Sequence, residues 1–492
     1  MKKFITLAFV FAAVLSATAQ TLRINMGDVT YAIPAAQAGE MLYNNAQTLT
    51  VGNKIYSLND ITNISIDGSS VSENTVKVSY NGNAAKVEIS GNIAPYITAE
   101  VKGGHVRMAA SADLAKEVTY TLSGNSSNGS FYMEGSYAMA LVLNSLTLTN
   151  PDSAAINIQN GKMINIKIAD GTTNSLSDGM TTASNDGSDG HKAAFYVDGH
   201  TSWTGTGNLN ITGNVKHAYS SDEYTLFNEG LGTITISKAI GDGLHISQYF
   251  KMLGGTVNIT ANGDGIDVEK KKSDKTDNGI MTLAGGTLTV TTTGNATKAL
   301  KCDDNMIVTG GVITATTSGN AIYDTDVADI SSNAAAKCDG TFSMTGGTMS
   351  LTSTGNGGKG INSTGAITIS GGTLTVVTTG KVYEHGTLDT KPQAIKSDGV
   401  ITLAGGTILS CASSDSGTAF KTDYAVLTNG ATLMGIGGKA TTGAATSTHG
   451  SKKYKDVSVK GGSTLSYDGV SFVIPSIYSN SSAKVIVSSP SM

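Results

Sequence analysis

The stretch Met281-Thr282-Leu283-Ala284-Gly285-Gly286-Thr287-Leu288-Thr289-Val290 decides the fold. Met281 and Leu283 alternate with other residues, a glycine pair interrupts, and Leu288 and Val290 resume the alternation. Period two means a strand with one face inward and one outward, and glycine turns the corner where the phase breaks. The frame recurs: Gly-Gly-Thr or Gly-Gly-Val begins at Gly254, Gly285, Gly310, Gly346, Gly371 and Gly405, at intervals of 31, 25, 36, 25 and 34 residues. Apolar pairs precede each, from Phe250/Met252 to Ile401/Leu403.

A second column pairs a small residue with an apolar one. It reads Ala155-Ile156, Ala194-Phe195, Ala218-Tyr219, Gly243-Leu244, Gly265-Ile266, Ala299-Leu300, Ala321-Ile322, Gly360-Ile361, Ala394-Ile395 and Ala419-Phe420. Polar inserts such as Glu269 to Asn278 and Lys381 to Pro392 lengthen some intervals, and without them the turn is about 22 to 25 residues. Short strands at that period describe a parallel β-helix, a solenoid whose turns rise ~4.8 Å each. Leucine-rich repeats would need a helical period, which is absent. Residues 21 to 66 lack the repeat and read as a small N-terminal β-rich module or cap, since a solenoid end has to be covered.

Composition agrees with an all-β chain. Of 492 residues 60 are Gly, and charged residues are only 14%. Glycine is costly inside helices, while the 39% hydrophobic content argues against disorder. The net charge is −5 and the only arginines are Arg23 and Arg107, which makes nucleic acid a poor partner. Cys302, Cys338 and Cys411 are too few for a disulfide framework and read as small buried residues.

Lys2 and Lys3, an apolar run from Phe4 to Leu15 and the exit Ser16-Ala17-Thr18-Ala19 form a secretory signal-peptide pattern. The expected location is secreted, cell-surface or periplasmic, with no membrane insertion. The expected division is a signal peptide over 1–19, the β-rich module or cap over 20–70, a β-helix domain over 71–475 and a C-terminal tail over 476–492.

Asn174-Ser175-Leu176-Ser177-Asp178-Gly179, Ala194-Phe195-Tyr196, the run Gly207 to His217, Asp242-Gly243-Leu244-His245 and Asp264-Gly265-Ile266-Asp267 together resemble the secreted bacterial carbohydrate-binding β-helix family, related in fold to pectate lyases. The resemblance spans roughly residues 71 to 475. It implies a right-handed parallel β-helix that binds polysaccharide, cellulose or pectin-like, with Ca²⁺ as cofactor. Asp242, Asp264 and Asp267 match the family's calcium-associated Asp-Gly motifs, while Lys298-Ala299-Leu300-Lys301 and Gln393-Ala394-Ile395-Lys396 lack the Asp.

Four residues after each small residue the column is largely acidic, including Asp198, Asp222, Glu269, Asp303, Asp398 and Asp423. Carboxylates one turn apart repel by about 3 kcal/mol at an effective dielectric near 20, so something has to neutralise them. Lys301, Lys396 and Lys421 precede Asp303, Asp398 and Asp423 by two residues and suggest an exposed ion-pair ladder. Around Asp242, Asp264, Asp267 and Glu269 no lysine sits in the strand itself, and hard oxygen donors there suit Ca²⁺. The candidate metal ligands are thus Asp222, Asp242, Asp264, Asp267, Glu269 and Asp303. The alternative for the Asp-Gly motifs is ordinary turn hydrogen bonding.

Candidate glycan contacts are Trp203, Tyr249, Lys301 and His245, with Trp203 open between platform and cap. His217 and His245 reach one edge in successive turns, yet a zinc site needs three or four converging ligands and only pairs are visible. A calcium-dependent lyase of pectate-lyase type would need a lysine base, with Lys216, Lys298 and Lys301 near the edge, and no sequence feature isolates one of them. The distributed ladder favours a non-catalytic, monomeric polysaccharide binder over the lyase, or over a structural surface rod or adhesin.

Overall fold

The computed structural model describes residues 20–44, 47–179, 192–271, 277–446 and 450–492, so the expected signal segment 1–19 lies outside the described residues. Among them the chain is nearly all β, with a single short helix at Ala35–Ala38. Its two large sheets are mixed, antiparallel near both ends of the chain and parallel through the middle. Leu244–Ser247, Ile266–Glu269, Lys298–Cys302, Ala334–Cys338, Lys359–Ser363, Gln393–Ser397 and Thr418–Lys421 are successive members of one 14-stranded sheet. The glycine-pair strands ladder in a 28-stranded sheet, as in Thr256–Ala261 with Thr287–Thr292 and then with Val312–Thr317.

Register places like on like. The inward column runs Tyr219, Leu244, Ile266, Leu300, Ala336, Ile361, Ile395 and Phe420, all fully buried. Each large apolar side chain so buried contributes about 1.5–3 kcal/mol. One contiguous core reaches from Leu22 to Ile486.

Two glycine columns are required by geometry. In the Gly-Gly-Thr corners the second glycine has φ near +80°, for example +84° at Gly255 and +79° at Gly286, which side-chain-bearing residues rarely adopt. In the Gly-Asn corners the backbones of adjacent turns nearly touch: a Cβ on Gly355 would lie 1.7 Å from the Gly319 carbonyl oxygen, and one on Gly319 1.8 Å from that of Gly294. The asparagines that follow knit the turns together. Asn295 Oδ1 accepts the N–H of Asn320 at 2.9 Å, and Asn320 Oδ1 accepts that of Asn356 at 2.8 Å.

Three expectations change. Ala321-Ile322 is not part of the inward column; Ala335-Ala336 takes that place, and Ile322 is instead in an excursion hairpin of Ile322–Asp324 with Asp329–Ser331. Residues 476–492 are no tail, because Asn480–Ser488 pairs antiparallel with both Thr432–Gly437 and Lys452–Val459, and a second apolar cluster including Val457, Tyr478 and Val485 forms there. Residue 70 is not a boundary between sheets: Val29–Pro34 pairs in parallel with Ala84–Ser90.

Candidate functional site

One outward column of the 14-stranded sheet carries the chemistry. In register order it reads Tyr196, Ser220, His245, Asp267, Lys301, Lys337, Asn362, Lys396 and Lys421. It therefore passes from a histidine–carboxylate cluster into a run of lysines.

In the cluster, Asp242 and Asp264 act as rungs between turns. Asp242 Oδ1 accepts the N–H of Asp264 at 2.8 Å, and Asp264 Oδ1 accepts that of Lys298 at 2.7 Å. His217 is buried and stacks on His245, with ring centroids 4.3 Å apart. Burial lowers the His217 pKa, favouring a neutral ring whose Nδ1 accepts the Asp242 N–H at 3.0 Å. His245 Nδ1 lies 3.1 Å from Asp242 Oδ2 and donates to it. Burial opposes charge on His245, but Asp242, Glu269 and Asp267 outweigh it and raise its pKa. Burial also pushes Asp242 up, yet the hydrogen bond and charge of His245 help to hold it well below the usual carboxylate range.

Asp267 is 4% exposed; its Oδ2 accepts from Lys301 Nζ at 2.8 Å while its Oδ1 has no partner. Burial pushes its carboxyl up to about 7 against the pull of Lys301. Burial works against the Lys301 ammonium, but Asp267 and Asp264 raise its pKa, so both members of the pair hold their protons more tightly than in water. Lys301 also lies 3.8 Å from Asp264 Oδ2.

Calcium fits these carboxylates poorly. It takes about six to eight oxygen ligands, whereas Asp242 and Asp264 are committed to backbone N–H groups and His245, and Lys301 occupies Asp267 Oδ2, so too few free oxygens converge. The lysine that the strand itself lacks arrives from the next turn.

Beyond Lys301 a cleft of about 760 Å³ opens, lined by Lys298, Lys337, Lys359, Lys391, Lys396, Lys421 and Lys439 against Asp324, Asp329 and Asp389. Its lining also draws on two excursion hairpins, Ile322–Asp324 with Asp329–Ser331 and Tyr383–His385 with Leu388–Thr390. They are joined by Tyr323 stacked on His385 at 4.1 Å. Lys359 is 3% exposed and pins the second hairpin by donating to Thr390 Oγ1 at 2.8 Å and to the Lys391 carbonyl. Burial, with the nearby Lys396 charge, lowers it to about 7. Lys337 and Lys396 pair with Asp339 and Asp398 at 2.8 and 2.7 Å, and Lys421 pairs with Asp423. Such partly exposed pairs hold together weakly and yield to a competing anion.

Residues 110–382 match the family model of carbohydrate-binding domain-containing proteins. The chain belongs to that family. Among curated proteins none matches the sequence. A solved polysaccharide lyase-like protein from C. thermocellum, a gadolinium derivative, aligns at 21% identity over 60% of this chain and 96% of its own, with a TM-score of 0.40.

For a carbohydrate-binding domain the aromatic candidates are poorly placed. Trp203 is a correction: it is 1% exposed, packs among Phe195, Tyr219 and Phe227, and donates its indole N–H to Thr201 Oγ1 at 3.0 Å, so it offers no sugar platform. Tyr249 stacks on Tyr224 at 4.5 Å and 8°, which covers one ring face, and its register partner on the other side is Ile280. His245 and Lys301 are engaged by Asp242 and Asp267.

Asp222 accepts from Lys192 Nζ at 2.7 Å and Tyr196 OH at 2.8 Å, and Asp303 accepts the Lys270 N–H at 3.0 Å. Neither joins the groups of ligand-spaced side chains among the described residues, which are His217/Asp242/His245 and His245/Asp267/Glu269. His217 and His245, visible in the sequence only as a pair, are thus hydrogen-bonded parts of a cluster with Asp242. The cleft itself went unseen in the sequence. Its signal was lysine recurring one residue after the inward apolar position, at Lys301, Lys337, Lys396 and Lys421.

Proposed function

We propose that this protein is a non-catalytic binder of anionic polysaccharide, and that the polymer lies along the lysine column in the hairpin-walled cleft. In this reading the parallel ladders are the turns of a right-handed parallel β-helix, exported by the N-terminal segment and working as a monomer. The observation that carries it is the register Lys337, Asn362, Lys396, Lys421, at a strand spacing of ~4.8 Å. A chain of sugar carboxylates presents negative charge at a comparable repeat. Lysine ammonium groups recognise such charge without demanding one orientation. Net charge −5 overall with seven lysines around one cleft separates the charges by surface, which favours an anionic ligand there and repels it elsewhere. A neutral glucan would want flat, uncovered aromatic faces, and Trp203 and Tyr249 do not supply them.

One observation favours a lyase as the second reading. Lys359 has the lowered pKa that a base removing a proton beside a uronate carboxyl would need. Against it, the Lys359 Nζ is turned onto Gly357 and Lys391 carbonyls and Thr390 Oγ1, a structural tie that leaves it little freedom to reach substrate.

Calorimetric titration with polygalacturonate oligomers and with cello-oligosaccharides, while following ultraviolet absorbance for unsaturated product, separates these readings. Salt-sensitive binding of the uronate without product supports the binder. Accumulating product makes it a lyase, and preference for the neutral oligomer overturns the anionic assignment.

A further inference from the structure

We propose that His245, Asp267 and Glu269 form a site for a divalent first-row transition ion of the zinc class, separate from the glycan cleft. A nitrogen of His245 and carboxylate oxygens of Asp267 and Glu269 all lie within 4.8 Å of one another. The residues come from adjacent parallel strands, Leu244–Ser247 and Ile266–Glu269, where His245 and Asp267 are register partners, so the backbone presets the donors.

The tautomer is set for a metal. The neutral His245 ring donates through Nδ1 to Asp242 Oδ2 at 3.1 Å, which leaves the lone pair on Nε2 for an ion that displaces the second proton, and Nε2 lies 3.7 Å from Glu269 Oε2. A carboxylate that orients a histidine from behind is the usual support for a metal-bound imidazole. His217 is not a ligand: its Nδ1 is engaged by the Asp242 N–H, and its ring braces His245 by stacking.

The independent sign of a missing ligand is Asp267 Oδ1. The side chain is 6% exposed, yet this oxygen has no hydrogen-bond partner, and a buried unsatisfied carboxylate oxygen is costly. Lys301 occupies only Oδ2.

The donor set decides the class. Calcium wants oxygens alone, whereas imidazole nitrogen with carboxylates suits zinc and its neighbours, with water completing the coordination. Glu269 is 44% exposed on its side chain, which gives an ion a way in.

The test is calorimetric titration of tag-free, metal-stripped protein with Zn²⁺ and, separately, Ca²⁺, repeated on Glu269→Gln, His245→Ala and Asp242→Asn. Expected are one saturable Zn²⁺ site that millimolar Ca²⁺ does not displace, its loss in His245→Ala and Glu269→Gln, and about a 10–100-fold weaker site in Asp242→Asn. Glu269→Gln alters a half-exposed side chain and serves if His245→Ala fails to fold. Absence of a saturable Zn²⁺ site, unchanged affinity in Glu269→Gln, or displacement by Ca²⁺ overturns the proposal. No glycan enters this experiment, so its failure leaves the cleft assignment standing.

Discussion

Lys301 Nζ donates to Asp267 Oδ2 at 2.8 Å across two adjacent parallel strands on which the two residues are register partners. This contact marks the point where the outward column changes sign, from the carboxylate cluster to the lysine run. Lys301→Met leaves a buried carboxyl group without its partner. At pH 8 it should cost about 3 kcal/mol in urea unfolding, and a Lys301→Met/Asp267→Leu double variant should recover part of that. A double-variant loss equal to the sum of the losses in Lys301→Met and Asp267→Leu alone would show that the pair is not coupled.

Trp203 belongs to the core. Trp203→Ala should destabilise by about 3–5 kcal/mol, while glycan affinity measured on the folded protein stays unchanged. A stable variant that has lost glycan binding would return Trp203 to the surface role.

The Gly-Asn corners are set by contact between turns. Gly319→Ala places a methyl group against the Gly294 carbonyl and should cost about 1–3 kcal/mol or more, because the clash is with backbone. Gly68→Ala, where no atom lies within 4 Å of the added Cβ, should be close to neutral. Thermal unfolding of the two variants side by side checks the comparison.

The parallel ladders were legible where inward positions carry small or apolar residues and the corners carry glycine. Leu300, Ile361 and Ile395 announce their turns on those grounds. The cleft was illegible because an excursion hairpin displaces the turn that carries Lys337. Ala321-Ile322 fits the pattern of a small residue followed by a large apolar one better than Ala335-Ala336, and the wrong choice removes Lys337 from its column. Outward residues are also weakly constrained, so which of them align is known only once the register is. The same holds for His217, Asp242 and His245, which look like isolated residues until stacking brings three turns together.

Lys359 gives the fold a pH signature. Its pKa is depressed in the folded protein, to about 7 from 10.5, so above pH 7 the folded state releases a proton that the unfolded state keeps. Stability attributable to this residue therefore rises as pH climbs from 7 towards 10, by something on the order of 4 kcal/mol. Urea midpoints across that range should rise less steeply in Lys359→Met than in the unmodified protein. Parallel curves would mean that Lys359 stays charged.

The central claim is that the lysine column holds an anionic polymer. Its most direct measurement is the dissociation constant for polygalacturonate oligomers, at low and high salt and with chelator present, for the unmodified protein and for Lys337→Gln/Lys396→Gln/Lys421→Gln. These lysines sit in weak, partly exposed pairs, so the triple variant should fold with stability within about 1 kcal/mol per pair removed. The account predicts binding that survives chelation and weakens with salt, together with at least about a tenfold loss and a shallower salt dependence in the triple variant. Equal affinity in the two proteins, or binding abolished by chelator alone, would contradict it.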